Sequence, residues 1–390
     1  MVIFPKILIT VNSFFFLVLF FIDIGVQNVS MALRAHPRFE VIKNLPEIGW
    51  RAMKQYYQVR DAEEVTKCEK VLAWMSPGPD AIQDQRSLIS LQKSLSQLQV
   101  RKKNSLCLFL NFENVYVLFQ HPSIMPSDLI LLQPHGCLTV RKLLTSGSLK
   151  DYLNDSKPKL NYLKKTIKPK NLKPFDLNAI RTLGHQVLSA LKFLHEKNLV
   201  HGNLHSGNVY MLDGSLCVSE IENYLMGASS ILRPFIVQLK GPSSSAEAVD
   251  VYSFGHLVYE MATGVPLHNQ TCDNAIPNTV PEMLRTLIES LLSIEATKSS
   301  NYPTVQNLLE NPFFSNAIGS LSVTKKSVMR PYLKFSTAAK EALASHKMAY
   351  ENRLREDFNR HKLVEKEKKR QEVLTDDSRR KRRQLKDQVF

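Results

Sequence analysis

Between Phe39 and Met75 short apolar groups alternate with charged ones, as in Phe39-Glu40-Val41-Ile42 and Val71-Leu72-Ala73-Trp74, and that rhythm predicts a small antiparallel sheet. Pro77-Gly78-Pro79 makes a turn. Beyond it Ile82, Leu88, Leu91, Leu95 and Leu98 recur at helical spacing and predict one amphipathic helix against the sheet. A mainly helical half follows. Asn178 to Glu196 carries Ile180, Leu183, Val187, Leu188, Leu191 and Leu194 on one stripe, with Pro174 ahead of it. Val249 to Thr263 is mostly apolar and predicts a buried helix stopped by Gly264 and Pro266; Met283 to Leu292 and Val305 to Leu309 predict two more. A sheet with one helix, then a helical half, implies an α+β architecture with a cleft between two lobes.

Both ends depart from this pattern. Ile7 to Ile22 is an almost unbroken apolar run between Lys6 and Asp23, like a signal-peptide core or a short membrane anchor. It is short for a span, Asn12 and Ser13 interrupt it, and Met31 opens a more usual polar start. Residues 1–30 are therefore expected to lie apart from the main domain, as an unstructured or targeting segment. After Pro331, Ala338 to Gln388 is rich in Lys, Arg and Glu with a thin apolar stripe, so 331–390 is expected to be a basic, solvated helix or disordered tail outside the core. Its Arg379-Arg380-Lys381-Arg382-Arg383 run suits phosphoinositide headgroups, a nuclear import signal or plain solvation.

Composition adds a bias. A net charge of +15 favours acidic partners, while 44% hydrophobic and 22% charged content is ordinary for a folded domain. The five cysteines (Cys68, Cys107, Cys137, Cys217 and Cys272) show no C-x-x-C spacing, which argues against a zinc site or a disulfide framework and suits a reducing compartment.

The informative chemistry lies after the long helix, in the stretch from His195 through His201-Gly202-Asn203-Leu204-His205-Ser206-Gly207-Asn208, followed by Glu220-Ile221-Glu222. This order resembles the protein kinase family, with its H-R-D-L-x-x-x-N catalytic loop and D-F-G metal loop. Val140 to Leu144 with Gly147 to Leu153 resembles the segment joining the lobes, and Asp250-Val251-Tyr252-Ser253-Phe254-Gly255 the start of the family's central helix. Tyr302-Pro303-Thr304 and Asn311-Pro312-Phe313-Phe314 resemble the close of the helical lobe. The resemblance covers about Phe39 to Phe314 and implies a bilobal kinase-like fold: a degenerate small lobe and hinge over 39–153, and a helical lobe over 154–316.

Within that family the likeness is greatest to the PX-domain kinase-like and slowpoke-binding proteins, through Leu191 to His195, Leu204-His205-x-x-Asn208, Glu222-Asn223 and Gly255 to Met261. No PX domain precedes the kinase-like region, which favours the slowpoke-binding branch. That likeness implies a calcium-activated potassium channel as partner.

Matched to the family's motifs, the residues argue against catalysis. Asn203 stands at the place of the catalytic Asp, and an amide is no base near neutral pH. His205 replaces the loop's Lys. Glu220, Ile221 and Glu222 stand for Asp-Phe-Gly, and Glu222 sets a second negative charge beside the expected phosphate. Trp74 is matched to the Lys of Val-Ala-Ile-Lys, and Leu45-Pro46-Glu47-Ile48-Gly49-Trp50 lacks the glycine cradle. Ala-Pro-Glu is missing, and Tyr302 takes the place of the Arg that pairs with it.

His201 and Asp250 are expected to brace the loop. Asn208 and Glu220 are weak metal candidates, with Asn208 also readable as a loop residue bonding to backbone. His185, His195 and His256 read as packing or surface residues.

Inside the small lobe, His121-Pro122-Ser123-Ile124 resembles the family's turn into the fourth strand, yet the helix before it ends near Gln99. The intervening 100–120 reads either as a retained intron, because Gln99-Val100-Arg101 and Phe119-Gln120 back-translate into splice signals, or as an inserted hairpin.

The expectation is a cytoplasmic pseudokinase adaptor with no catalytic residue, metal or required cofactor. Its tail run 379–383 would touch acidic phospholipid, and nucleic acid is not an expected partner. The alternatives are a weakly active or Mg-ATP-binding atypical Ser/Thr kinase, and a membrane-anchored kinase-like protein.

Overall fold

The computed structural model describes residues 27–46, 48, 54–63, 69–98, 121–156, 172–212, 214–239, 245–298, 302–315 and 333–387, of which 373–387 by backbone alone. The apolar run Ile7 to Ile22, the segment 100–120 and the side chains of 379–383 lie outside it.

The small lobe is a five-stranded antiparallel sheet in the order β1-β2-β3-β5-β4, built from β1 (Phe39–Asn44), β2 (Lys54–Asp61), β3 (Lys70–Met75), β4 (Leu129–Gln133) and β5 (Gly136–Lys142). Side chains alternate between its two faces. On the outer face Tyr57, Val59, Leu72, Trp74, Leu138 and Val140 pack together with Val29, Ala32 and Leu33 from a helix over 27–33, α1. This corrects the expectation that residues up to 30 stand apart from the domain, since Val29 is only 1% exposed.

The predicted helix is α2 (Gln85–Leu95), started by Asp84, whose carboxylate accepts from the Ser87 N–H. Leu88, Leu91 and Leu95 form its buried stripe.

The large lobe begins after α3 (Leu149–Leu153). Its frame is α4 (Leu177–His195) and α7 (Ala246–Thr263), capped by Asp176 and Ser245 respectively. Between them run the β6–β7 hairpin (Val209–Leu212, Ser215–Val218) and two short helices, α5 (Glu222–Leu225) and α6 (Arg233–Ile236). α7 stops at Gly264, whose φ of 78° favours a residue without a Cβ. Then come α8 (Glu282–Leu292), α9 (Ile294–Lys298), α10 (Val305–Glu310) and α11 (Pro312–Ser315). The predicted α+β bilobal fold is the observed one.

The tail is a single helix, α12 (Thr337–Asp387), and its first half departs from expectation. Ala339, Leu343, His346, Tyr350, Leu354 and Phe358, three or four residues apart, are buried against the body, so this half belongs to the core. Only the part beyond Phe358 is mostly exposed.

α12 reaches both lobes. At its start Ser336 and Ser90 share a hydroxyl hydrogen bond, and Gln97 exchanges two bonds with the Lys334 backbone. Further on His346 Nε2 donates to the Tyr224 carbonyl at 2.9 Å, Glu351 accepts from Ala246 N–H at the start of α7, and Arg353 meets Asp80 at 2.6 Å. Arg233 of α6 closes the series on Asp357, its Nε at 2.9 Å.

Candidate functional site: a cleft occupied by its own charges

The inner face of the sheet is written by strand register. Lys54, Met75 and Cys137 lie abreast on β2, β3 and β5; the next row is Tyr56, Ala73 and Thr139, and the next Gln58, Val71 and Arg141. Lys54 and Tyr56 reach across to the large lobe, so these rows face the cleft.

Trp74 does not. It lies abreast of Gln55 and Leu138, on the outer face, with its ring over Gly136, where an added Cβ would come within 2.3 Å of the indole. Matching Val-Leu-Ala-Trp to Val-Ala-Ile-Lys had set Trp74 at the cleft lysine. A one-residue slip moves a side chain to the opposite face of a sheet, and Met75 is the residue abreast of Lys54. The cleft cation comes from β2.

Lys54 is 5% exposed, and its ammonium donates to Glu222 Oε1 at 2.7 Å and Asn223 Oδ1 at 2.9 Å, with Glu220 Oε2 at 3.5 Å. Glu220 also accepts from the Tyr56 hydroxyl at 2.8 Å and the Asn223 amide at 3.2 Å, and Arg141 Nη2 lies 3.9 Å away. Glu220 adopts φ 64°, a left-handed conformation costly for a residue with a Cβ, and these partners hold it there. Arg141 lies over the Tyr210 ring at 4.5 Å and donates to its hydroxyl at 2.9 Å. Ile221 packs into the main core. The Cys137 thiol is pushed well above its ordinary pKa by burial, then by the Glu222 charge. The cavity left among Thr139, Arg141, Ser219, Glu220, Ile221 and Glu222 measures about 10 Å³, near the least that holds one water.

The loop below is braced from α7. Asp250 accepts from the backbone N–H groups of His201 and Gly202, both at 2.8 Å, and contacts His195 Nε2 at 2.8 Å. Burial lowers the His201 pKa against the opposing pull of Asp250, so its ring is neutral near pH 7. His201 Nε2 donates to the Ser219 carbonyl and Nδ1 accepts from Asn203 N–H.

Asn203 accepts from Ile231 N–H through Oδ1, an anchor for the segment before α6. Asn208 donates its amide to the Asn203 carbonyl at 2.8 Å, and His205 Nδ1 accepts from Gly207 N–H.

The structure thus gathers His201, Asn203, His205 and Asn208 in one loop braced by Asp250, sets Glu220 and Glu222 against the small lobe, and leaves Trp74 out. Lys54, Tyr56, Arg141 and Tyr210 are site residues that motif reading missed. Only the alternation in Lys54-Gln55-Tyr56-Tyr57 marks Lys54 and Tyr56 as sharing a face.

Mg-ATP is the ligand of active kinases, and a metal at this site would compete with Lys54 for the carboxylates of Glu220 and Glu222. Both Glu220 oxygens accept hydrogen bonds, from the Tyr56 hydroxyl and the Asn223 amide, Glu222 Oε1 accepts from Lys54, and Asn208 donates its amide N–H to the Asn203 carbonyl. Among the described residues no cluster of His, Cys, Asp or Glu is placed to hold a metal ion.

The family model described as "Protein tyrosine and serine/threonine kinase" matches residues 84–220. The PX domain-containing protein kinase-like protein of Mus musculus is 35% identical over 336 residues, covering 86% of this chain and 52% of that protein. The Slowpoke-binding protein of Drosophila melanogaster is 33% identical over 240 residues, covering 60% and 42%. The probable inactive serine/threonine-protein kinase slob1 of Dictyostelium discoideum is 25% identical over 306 residues, covering 72% and 48%. The chain spans about half the length of these relatives. The match to the PX-domain protein is the longer one, so the slowpoke-binding branch is not singled out.

Proposed function

Since the chain is a protein-kinase-like protein related to the PX-domain kinase-like and slowpoke-binding proteins, we propose that it works as a pseudokinase adaptor that binds signalling partners and transfers no phosphate. The observation that carries this reading is Lys54, which neutralises the two carboxylates of the metal loop from within the chain. A metal would have to displace a buried ammonium held by a 2.7 Å hydrogen bond, and no carboxylate base stands at Asn203 to use a nucleotide afterwards.

The test is thermal denaturation with and without Mg-ATP, paired with a radiolabelled phosphate assay. The expected result is no shift in melting temperature and no labelled product. A shift of several degrees, with labelling abolished by Glu220→Ala, would establish the weakly active kinase instead.

The relative named Slowpoke-binding protein supports a calcium-activated potassium channel as one partner. Co-precipitation with such a channel, with and without residues 333–387, tests it. A cytoplasmic site of action suits the buried thiols of Cys137, Cys217 and Cys272. Among the described residues no helix is long and apolar enough to cross a membrane.

The backbone of α12 continues from Phe358 to Asp387, roughly 40 Å at 1.5 Å per residue. That length carries the 379–383 run away from the body, where anionic lipid would meet it.

A further inference from the structure

Where α6 faces α12, the surface opens into a groove of about 620 Å³ lined by Ile231, Pro234, Val237, Asp357, Arg360 and Val364, among others. Its apolar groups are presented to solvent: Ile231 is 48% exposed and Val364 62%. Both line the same concave site, which sets them apart from apolar side chains scattered singly over a surface.

The groove is also rigidly framed. Asn203 Oδ1 holds Ile231 N–H, Ser229 Oγ accepts from Arg233 Nη1 at 3.2 Å, and Arg233 clasps Asp357 across the floor. Asp357 lies between two guanidiniums, since Arg360 approaches it at 3.6 Å. Beyond the groove the exposed helix continues with Lys362, Lys366, Lys368, Lys369 and Arg370 against Glu365, Glu367 and Glu372. An apolar floor thus sits beside a net positive rim.

We propose that this groove docks a short segment of a partner protein in which large apolar side chains are flanked by Asp or Glu. The apolar groups would cover Ile231 and Val364, and the acids would answer Arg360 and the lysines that follow. The proposal deepens the adaptor reading by naming the docking face and the chemistry of its occupant, and it rests on that reading for its meaning.

The probe is a phage-displayed library of random dodecapeptides selected on the full chain. Selected peptides are then titrated by fluorescence polarisation against the parent and the exposed-site variants Val364→Glu and Arg360→Glu, with Met283→Glu as a remote control. Selected peptides should pair large apolar residues with acids, and Val364→Glu should weaken them about tenfold. Arg360→Glu should weaken them most at low salt, with Met283→Glu neutral and all melting temperatures unchanged.

Peptides without acids, or binding indifferent to both groove variants, would overturn the proposal. So would a dimer of this chain that dissolves in the same variants, because the occupant would then be a second copy. Phosphotransfer by a chain that still holds the peptides would defeat the adaptor reading alone. Silent chemistry with groove-independent peptides would defeat the groove alone.

Discussion

Replacing Lys54 by Met tests whether the cleft lysine serves the fold instead of a nucleotide. The variant keeps an apolar stem of similar length and removes one buried ammonium that contacts Glu222 at 2.7 Å, Asn223 at 2.9 Å and Glu220 at 3.5 Å. Glu220 retains Tyr56 and Asn223 as donors and Arg141 nearby, so the loss falls on Glu222, which is 4% exposed. Stranding one partner of a buried pair costs about 3 to 5 kcal/mol, a large share of the roughly 5 to 15 kcal/mol that stabilises a domain. At about 2 °C per kcal/mol for a large domain, the melting temperature falls by roughly 6 to 10 °C.

Adding Glu222→Met removes the stranded carboxylate and should restore most of the loss, because replacing both partners by apolar groups is near neutral. The assay is urea unfolding followed by tryptophan fluorescence, with Trp74 buried as reporter. A single variant within about 1 kcal/mol of the parent, or a double variant no more stable than the single, refutes the reasoning.

Further outcomes follow from the same geometry. Asn203→Asp restores a carboxylate at the base position yet should give no labelled product in a phosphate-transfer assay, because Glu220 and Glu222 remain tied to Lys54. Tyr350→Ala opens a cavity beside Tyr224 and should cost about 3 kcal/mol in urea unfolding; a cost below about 1 kcal/mol would show that the tail is not core. Burial lowers the pKa of both His121 and His256 to about 4, so the unfolded chain binds more protons than the folded one below the ordinary 6.5. Their stability is therefore full above pH 6.5 and drains as pH falls from there toward 4, by about 2 kcal/mol each at pH 5, and a flat urea midpoint from pH 7 to 5 contradicts it. Deleting 379–387 should weaken sedimentation with phosphatidylserine vesicles at 50 mM salt by about tenfold, and equal binding removes lipid from the partners of the tail.

What the sequence made legible depended on how local the signal was. The helices Leu177–His195 and Ala246–Thr263 follow stripes and caps contained within their own residues, so periodicity found them to within a few positions. The ordered loop motifs located His201, Asn203, Asn208 and Glu220 because each sits in a short run of fixed spacing. Lys54 escaped because its meaning lies in Glu222, 168 residues away, and no local pattern encodes that meeting. Trp74 was misplaced because an apolar strand buried on both faces gives no alternation from which to read direction. The tail misled for a related reason: Tyr350, Leu354 and Phe358 form a sparse stripe among many charges, and whether such a helix docks depends on the shape it meets.

The cleft and the tail meet in one short element. Helix α5 begins with Glu222, held by Lys54 of the small lobe, and two residues later presents the Tyr224 carbonyl to His346 and the Tyr224 ring, edge-on, to Tyr350. The same tail helix bonds to α2's side of the small lobe through Ser336 and Lys334 and to α7 through Glu351. In a kinase, the small lobe closes on the large one around a nucleotide and its metal. Here two contacts within the chain converge on α5: the Lys54 ammonium from the small lobe, and a tail helix whose segment bonds to both lobes. Because they share α5, their energies cannot be independent. On the adaptor reading, the pair holds the two lobes together without a nucleotide between them.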